Sequence, residues 1–373
     1  MTLTGYRILL ISTPVGPLGS GLGGGVELFV TNAVQALTQR GHHITVLAPE
    51  GSVLPVAETL IPFAGSYQPT AHTSDRDSPV IMPEPSVLSA MWDYARQVQD
   101  AFDVILHYAY DWLPFYLAPF LRIPVAHYVT MGSLNDGMDH IIAHAAHTIP
   151  HSVGLCTQVQ AATFPAADRY EIIGCSVDLE RYEYCDTPGQ DLVWLGRISP
   201  EKGLEDAIAA AQMSQMPLKI LGKLENEAYW HDLQYRYPDA PIEYLGFFAT
   251  QEMQAIVRNC RALLMTPKWV EAFGNVAIEA LACGVPVIAY RRGGPTEIVQ
   301  HGKTGWLVEP DSVGGLVEAI HRIDGIDRAA CRAHVVANFS IATLGDRLEH
   351  WFQTLLNSPE PKSPNSGLHS ALS

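Results

Sequence analysis

The first half of this 373-residue chain contains no lysine. Residues 1–180 hold six arginines against sixteen acidic residues, a net charge of −10, and the whole chain carries −16. This sign of charge repels nucleic acid and anionic membranes, so neither is expected as a partner. The chain also lacks any run of 18 apolar residues, which excludes a conventional transmembrane helix and predicts no stable membrane association.

Cysteine is sparse as well. The six cysteines show no C-x-x-C spacing, and their apolar neighbours favour reduced, mostly buried thiols. The apolar run Ile8–Ile11 has the length of a strand and is too short for the core of a signal peptide. We therefore expect a cytoplasmic protein. Its length and its 47% apolar composition suffice for two cores and hence two domains.

The chain opens with a predicted strand, Tyr6–Ser12, a helix, Val26–Arg40, and a second strand, His43–Ala48, an order that indicates a parallel, doubly wound sheet. The loop before the helix contains Gly19-Ser-Gly-Leu-Gly-Gly24, which fits G-x-G-x-x-G and supports an NAD-dependent oxidoreductase as one alternative. In the dinucleotide fingerprint the glycines follow the strand directly, whereas here Thr13–Leu18 intervenes, which weakens that alternative.

Two patterns in the first half resemble sets of metal ligands. Asp75-Arg76-Asp77 contains an Asp-x-Asp pair, but it lies in a polar stretch with no neighbouring strand, so we interpret it as solvated turn residues. His140, His144 and His147 share one helical face, yet neither the HExxH glutamate nor a fourth ligand accompanies them. We expect no metal, and we interpret this face as ordinary polar surface or as one histidine directed at substrate.

An aromatic patch follows the predicted strand Asp103–His107. It consists of Tyr108, Tyr110, Trp112, Phe115 and Tyr116. Ligands of parallel sheets bind beyond the carboxyl ends of the strands, so the patch is a candidate pocket wall for a flat acceptor, with Asp111, Asp136 and His127 as polar contacts. The alternative is ordinary aromatic core.

The second half carries two motifs with charged side chains. Gly196-Arg197-x4-Lys202-Gly203 follows the predicted strand Leu192–Leu195 and brings two cations to a strand-to-helix loop. Glu271 and Glu279 flank a small-residue turn that opens a helix, and the amides at such a helix start favour an anion. Without partners, each of these charged residues would simply be solvated surface.

Further motifs follow in order: Ala-Cys-Gly-Val-Pro-Val at 282–287, Gly-Gly-Pro-Thr-Glu-Ile-Val at 293–299 and Gly-Lys-Thr-Gly-Trp-Leu-Val at 302–308. With the Glu-x7-Glu and Gly-Arg-x4-Lys-Gly motifs, they resemble the retaining nucleotide-sugar glycosyltransferases of family 4. The resemblance covers nearly all of residues 5–356 and is densest at 196–310.

The resemblance implies an α/β protein of the GT-B fold, with two Rossmann-like, doubly wound parallel-sheet domains facing a cleft. Residues 1–184 are the expected acceptor-binding domain, on which the C-terminal helix 341–356 packs back. A polar linker at 183–190 leads to the expected nucleotide-sugar-binding domain, 190–340. Residues 357–373, rich in Pro and Ser, are an expected disordered tail.

The resemblance also implies roles. Arg197 and Lys202 neutralise charge on the leaving diphosphate, Glu271 positions the sugar hydroxyls, and Glu279 meets the ribose hydroxyls. His127, or Thr130 if the register differs, approaches the donor sugar. The remaining donor contacts are Gly24, Gly25, Gly196, Gly222, Phe273, Gly274, Asn275 and Val276. UDP-glucose is the default co-substrate, no metal or other cofactor is implied, and the anomeric configuration is retained by front-face attack.

The acceptor is expected to be a small soluble molecule, because the first half lacks the basic amphipathic surface that relatives acting on anionic lipids need. The loop Thr13–Glu27 resembles that of glucosyltransferases acting on tetrahydrobiopterin, so a reduced pterin is one specific expectation. A sugar or lipid acceptor stays open as an alternative. A catalytically silent binding protein with this fold, beside the oxidoreductase, is a further alternative from another class.

Overall fold

The computed structural model describes residues 5–20, 25–71, 75–187 and 189–358, and the chain divides into two units. Unit 1 comprises Met1–Ile173 and Gly345–Ser373, and unit 2 comprises Gly174–Leu344. The division falls ahead of the linker predicted at 183–190. One reason is that the backbone N–H of Val177 donates to the carbonyl of Phe339 at 2.8 Å, which ties this segment to unit 2.

Unit 1 is built on seven parallel strands in the order β3-β2-β1-β4-β5-β6-β7. The strands are β1 (Arg7–Ile11), β2 (His43–Pro49), β3 (Thr59–Phe63), β4 (Val104–His107), β5 (Val125–Val129), β6 (Val153–Leu155) and β7 (Glu171–Ile172). The helices are α1 (Gly25–Thr38), α2 (Val87–Val98), α3 (Trp112–Leu117), α4 (Asp136–Thr148) and α5 (Gln158–Ala161). The apolar side chains of β1, β4 and β5 are almost wholly buried, as expected for strands covered on both faces.

Unit 2 repeats the same arrangement with six parallel strands in the order β10-β9-β8-β11-β12-β13. The strands are β8 (Leu192–Leu195), β9 (Leu218–Leu221), β10 (Ile242–Gly246), β11 (Ala262–Met265), β12 (Val287–Tyr290) and β13 (Gly305–Val308). The helices are α6 (Leu204–Ser214), α7 (Glu227–Arg236), α8 (Thr250–Val257), α9 (Asn275–Ala282), α10 (Pro295–Ile298), α11 (Val313–Arg322) and α12 (Arg328–Asn338).

In each sheet the order of the strands reverses at one point, although all strands are parallel. This point lies between β1 and β4 in unit 1 and between β8 and β11 in unit 2. With right-handed crossovers, such a reversal sends the connections to opposite faces of the sheet and opens a crevice at the carboxyl ends of the two central strands. The prediction of two doubly wound parallel-sheet domains is therefore confirmed.

The last helix, α13 (Ile341–Leu356), has the predicted bounds. From Gly345 onward it belongs to unit 1, where Arg40 pairs with Asp346 and Glu349 at 2.6 Å each. Trp351 is 1% exposed, and its indole N–H donates to the carbonyl of His151 at 2.6 Å. Most of the tail predicted to be disordered, residues 359–373, lies outside the described residues.

Trp351 gives a first test of how α13 stabilises unit 1. Trp351→Ala removes a buried indole and its hydrogen bond, so we expect a loss of about 3–5 kcal/mol in the stability of unit 1. Denaturant titration followed by circular dichroism measures this as a lower midpoint. His350→Ala, at the exposed neighbouring position, should leave the midpoint unchanged. Equal midpoints for the two variants would contradict the packing.

Candidate active site

The charged motifs of unit 2 lie at the carboxyl ends of β8 and β11, between which the strand order reverses. Gly196 and Arg197 directly follow β8, and the segment that ends in Glu271 follows β11. Because β8 and β11 are parallel neighbours, both loops emerge at the same edge of the sheet. Two motifs that are separated by about seventy residues in the sequence are thereby brought together at the point where ligands of such sheets bind.

Hydrogen bonds join these two loops. The backbone N–H of Lys268 donates to the carbonyl of Glu201 at 2.9 Å, and the Thr266 hydroxyl donates to the carbonyl of Gly203 at 2.7 Å. Gly203 has a φ of +65°, and a Cβ there would lie 2.0 Å from the carbonyl oxygen of Thr266. Only glycine allows the close approach of the two backbones.

A third loop, after β12, holds the backbone of Glu271. The N–H of Gly294 donates to the carbonyl of Glu271 at 2.7 Å. Gly293 has a φ of +73°, and a Cβ on it would lie 2.5 Å from the backbone nitrogen of Glu271. The glycine pair that sequence reading takes as a simple turn therefore fixes the position of a predicted catalytic carboxylate.

Lys202 and Glu271 form an ion pair in this position. The Lys202 Nζ lies 2.5 Å from Glu271 Oε2 and 4.7 Å from the centre of the Trp269 ring, and the Trp269 indole N–H donates to the same oxygen at 3.2 Å. The two side chains are 19% and 16% exposed. The ammonium group of Lys202 is therefore paired with a carboxylate, and both side chains keep partial access to solvent.

Arg197 is paired as well. It contacts Glu225 through Nη1 and Glu201 Oε1 through Nη2, the latter at 3.0 Å. Burial alone would raise the pKa of Glu201, but the hydroxyl of Ser199, which donates to it at 2.6 Å, and the nearby cations lower it. Glu201 is therefore ionised at neutral pH and holds the guanidinium in place. The sequence pattern gave no sign of Glu225, because this partner comes from a different loop.

The start of α9 is the small-residue turn that is predicted to favour an anion. Gly274 precedes it with a φ of +105°, and Asn275 and Val276 are its first two residues. Their backbone N–H groups have no partners within the helix, because the first amides of any α-helix lack an acceptor one turn back. The Oδ1 atom of Asn275 is buried and has no hydrogen-bond partner among the described residues. Phe273 is 4% exposed and packs edge-on against Phe339.

Glu279 lies one turn further along α9. Its Oε1 accepts a hydrogen bond from the Tyr182 hydroxyl at 2.8 Å. Burial raises the pKa of Glu279, and the Tyr182 hydroxyl and Arg181 oppose that rise. Glu279 and Glu271 are thus held by different partners, as expected if they contact different ends of one ligand.

The glycines predicted as donor contacts also bring backbone segments together. Gly222 follows β9 with a φ of +141°, and a Cβ there would lie 1.8 Å from the carbonyl oxygen of Gly196. The N–H of Gly222 donates to the carbonyl of Gly246 at 2.8 Å, and the Tyr244 hydroxyl donates to the carbonyl of Gly222 at 3.0 Å. The ends of β8, β9 and β10 are therefore locked into one wall.

In unit 1 the structure places His127, which is predicted to approach the donor sugar, in the core. Its side chain is 0% exposed, its Nδ1 lies 3.1 Å from that of His107, and its ring stacks on Phe115 at 4.3 Å. Burial lowers the pKa of His127 to about 3. An imidazole so enclosed is a neutral residue of the core. Thr130, half-buried just after β5, is the remaining alternative.

The three predicted acceptor contacts differ in their surroundings. The Tyr110 hydroxyl accepts from the N–H of Leu134 at 3.2 Å, and burial raises the pKa of Tyr110 to about 12. Asp111 occupies the N-cap position of α3 without a capping hydrogen bond, and burial raises its pKa to about 7. Asp136 is exposed and pairs with Arg76 at 2.8 Å.

The aromatic patch separates into two sets. Tyr108 and Phe115 are 0% and 2% exposed and belong to the core, which is the alternative considered above. Trp112 and Tyr116 stack on each other with ring centres 4.8 Å apart, and Tyr116 is 48% exposed. Helical spacing explains the division, because residues four apart share a face of α3.

Sequence reasoning missed the role of Arg76. Its guanidinium also contacts Asp139 at 2.7 Å, and the Ser133 hydroxyl donates to the same carboxylate at 2.6 Å. Asp139 is 6% exposed. The arginine inside Asp75-Arg76-Asp77 is therefore the residue that anchors this loop to the start of α4. No local signal reveals this, since its partners lie some sixty residues away.

The remaining expectations concern residues whose surroundings are simple. Gly25 is the first residue of α1, and Gly24 lies outside the described residues. His140, His144 and His147 are exposed. Within the described ranges, no three His, Cys, Asp or Glu side chains come close enough to hold a metal ion. No helix in that part of the chain has the length and apolarity needed to cross a bilayer.

Comparison with known proteins associates each half with a family. Residues 23–181 match the family model described as Glycosyltransferase Family 4, and residues 186–324 match the one described as Glycosyl transferases group 1. An uncharacterized glycosyltransferase of Methanocaldococcus jannaschii is 34% identical over 134 residues. The match covers 34% of this chain and 36% of that protein, so the chain spans about a third of that relative.

Two other similarities extend over most of the chain. A D-inositol 3-phosphate glycosyltransferase of Nocardia farcinica is 25% identical over 380 residues, which cover 86% of this chain and 82% of that protein. The structure of Anabaena HepE in complex with UDP and glucose superposes with a TM-score of 0.70 and 17% sequence identity. The match covers 94% of this chain and 100% of the HepE chain. At that identity the second similarity concerns the fold alone.

Gly293 gives a test of the packing around Glu271. Gly293→Ala places a methyl group against the Glu271 backbone at a positive φ, so we expect a loss of about 1–3 kcal/mol and a lower melting temperature. Gly314→Ala is the matched control, because nothing lies within 4 Å of a Cβ there and the position is inside α11. This control should be neutral or slightly stabilising. Equal melting temperatures would show that the loop tolerates a side chain.

Proposed function

Because this chain is a glycosyltransferase of the GT-B fold, with a Family 4 domain followed by a group 1 domain, we propose that unit 2 binds a UDP-sugar and that unit 1 binds the acceptor. The sugar transferred is a hexose, with glucose as the first candidate. One observation carries the proposal: Lys202 pairs with Glu271, and Arg197 lies in the same loop as Lys202, at the edge of the sheet where the strand order of unit 2 reverses.

The diphosphate of the donor takes the place of the carboxylates that now pair with the two cations. Lys202 exchanges Glu271 for a phosphate oxygen, and Arg197 offers its planar guanidinium to a second one. The amides of Asn275 and Val276 add donors at the positive end of the α9 dipole. Charge that builds on the diphosphate as the sugar leaves is thereby neutralised without a metal ion.

Glu271, once released by Lys202, accepts hydrogen bonds from hydroxyls of the sugar. It lies beside the site of the leaving phosphate, because its carboxylate is 2.5 Å from the ammonium group that would bind that phosphate. Glu279, one turn into α9, accepts hydrogen bonds from the ribose hydroxyls. Gly196 and Gly222 form the wall of backbone that faces the nucleotide.

Transfer with retention then takes place on one face of the sugar. The bond between the anomeric carbon and the diphosphate oxygen breaks, the nucleophilic atom of the acceptor bonds to the same face, and its proton passes to the leaving phosphate. The protein supplies positioning and positive charge rather than a nucleophile. The family resemblance supports this route.

UDP-glucose is the first donor to test because a protein of the same fold, Anabaena HepE, has been solved with UDP and glucose. The NAD-dependent oxidoreductase alternative is dropped, because the group 1 match covers the half that it left unexplained. Metal independence and a cytoplasmic location remain part of the proposal.

For the acceptor we propose a small soluble molecule with a flat ring, such as a reduced pterin. The Trp112 and Tyr116 rings stack on each other, and the exposed Tyr116 offers a surface for a ring. Asp111 offers a carboxyl group whose pKa of about 7 suits a weakly basic hydrogen-bonding partner. The absence of lysine from this half argues against an anionic lipid.

The diphosphate contacts can be tested by mutation. Lys202→Ala and Arg197→Ala should each lower kcat about 100-fold, because both cations act mainly on charge in the transition state. UDP release from UDP-glucose, measured at saturating donor, reports kcat. Lys219→Ala is the control, since that lysine pairs with Asp191 towards the amino ends of the strands. Near-normal turnover in both test variants would remove the assignment.

The acceptor can be tested by a labelled-donor screen. UDP-glucose labelled in the sugar is incubated in EDTA with tetrahydrobiopterin, with simple sugars or with anionic liposomes that carry lipid acceptors. We expect label on the pterin, with no loss of activity in EDTA. Label on sugars alone would discard the pterin and keep a soluble acceptor, whereas label in the liposomes would overturn both. Loss with EDTA that Mg²⁺ restores would overturn metal independence.

A further inference from the structure

Tyr182 is a buried residue of unit 2 whose hydroxyl contacts Glu279, the residue proposed to bind the ribose of the donor. We infer that it is a positioning residue that holds the Glu279 carboxylate so that one oxygen is reserved for a single ribose hydroxyl of the nucleotide. The inference rests on the proposed function, in which Glu279 binds the ribose, and it adds a specificity for ribose over deoxyribose that depends on a residue outside the binding surface.

The contact between the two side chains is short and protected. The Tyr182 hydroxyl donates to Glu279 Oε1 at 2.8 Å, and Tyr182 is 3% exposed. Among the described residues, no other hydrogen bond reaches the carboxylate of Glu279. One oxygen is thus occupied from inside the protein, and the other is left for a ligand.

The backbone of Tyr182 is itself anchored to α9. Arg332 donates through Nη1 to the carbonyls of Tyr182 and of Ala282, the last residue of α9. Its Nη2 donates to the carbonyl of Leu179 at 3.1 Å. Arg332 therefore ties the backbone of Tyr182 to the end of α9, the helix that carries Glu279, and this limits movement of the hydroxyl relative to the carboxylate.

The Tyr182 hydroxyl stabilises the ionised form of Glu279, and it matters because the Glu279 carboxylate is partly buried. A partly buried carboxylate with no donor is poorly stabilised, and burial raises the pKa of Glu279 while the Tyr182 hydroxyl opposes that rise. Without the hydroxyl, the carboxylate turns to whichever donor reaches it and no longer presents one fixed oxygen. A ribose hydroxyl then loses part of its binding advantage, because the carboxylate must be reoriented at the moment of binding.

Tyr182→Phe is the smallest change that tests this. The titrations use UDP, 2′-deoxy-UDP and 3′-deoxy-UDP, followed by calorimetry. We expect the wild type to bind one deoxy analogue at least 10-fold more weakly than UDP. Tyr182→Phe should weaken UDP binding about 10-fold and leave that analogue unchanged, because the analogue lacks the hydroxyl that Glu279 accepts. The kcat at saturating UDP-glucose should stay within about twofold.

Two further variants make the result specific. Tyr184→Phe removes a hydroxyl from a 43% exposed neighbour and should change none of the three affinities. Glu279→Gln should abolish the discrimination on its own, and adding Tyr182→Phe to it should then have no further effect. Glu279→Gln tests the ribose contact alone. If Tyr182→Phe folds poorly, Tyr182→Met is a second variant that removes the same hydroxyl, and it should show the same weaker UDP binding with no change for the analogue.

Three outcomes would overturn the inference. Tyr182→Phe that leaves UDP binding unchanged would show that the hydroxyl does not position the carboxylate. Equal weakening of UDP and both analogues would indicate general damage to the site. Wild-type protein that binds UDP, 2′-deoxy-UDP and 3′-deoxy-UDP equally well would show that Glu279 makes no ribose contact, while UDP binding by unit 2 would still stand. By contrast, a wild type that binds no UDP would refute the proposed function itself.

Discussion

The ion pair between Lys202 and Glu271 is the interaction on which the interpretation of unit 2 depends. Its two side chains are 19% and 16% exposed, so both lose part of their hydration while remaining within reach of a ligand. Ion pairs with access to water contribute little to stability, typically about 0–1 kcal/mol. Its value lies in placement: it keeps a cation and a carboxylate within 2.5 Å of each other at the point where a phosphate and a sugar would meet. In the proposed function, donor binding replaces this ion pair by two sets of contacts: Lys202 contacts the phosphate, and Glu271 contacts the sugar.

Glycine backbones make this placement rigid. Gly203 brings the loop after β8 against Thr266, Gly222 brings the loop after β9 against Gly196, and Gly293 brings the loop after β12 against Glu271. At each position a Cβ would lie within about 2.5 Å of a backbone atom, and each glycine has a positive φ. Hydrogen bonds between the loops then fix the distances. A site assembled in this way needs little reorganisation when charge develops, which is the condition under which electrostatic stabilisation is most effective.

Much of this could be predicted from the sequence, because strands that end in glycine and helices that begin with small residues follow from local patterns. The bounds of α13 and the positions of the charged motifs at strand ends are examples. The failures involve contacts between distant segments. His127 pairs in register with His107 on the neighbouring strand, so both imidazoles point into the core, and nothing within either strand indicates it. Arg76 has acidic neighbours in the sequence, but its ion-pair partners, Asp136 and Asp139, come from α4. The amphipathic α3 explains why only part of the aromatic patch is exposed.

The pairing of both cations with carboxylates also affects which anions can bind. Arg197 contacts two carboxylates and Lys202 a third, and the chain as a whole carries −16. A singly charged anion gains little by displacing these partners, because it replaces one negative charge by another and is repelled by the carboxylate that stays nearby. In the proposed function, a diphosphate contacts both cations at once and also reaches the amides at the start of α9. If the site binds a diphosphate as proposed, the carboxylates around the cations would select for a ligand that spans the whole site, and charge pairing would contribute specificity at the cost of affinity for simple anions.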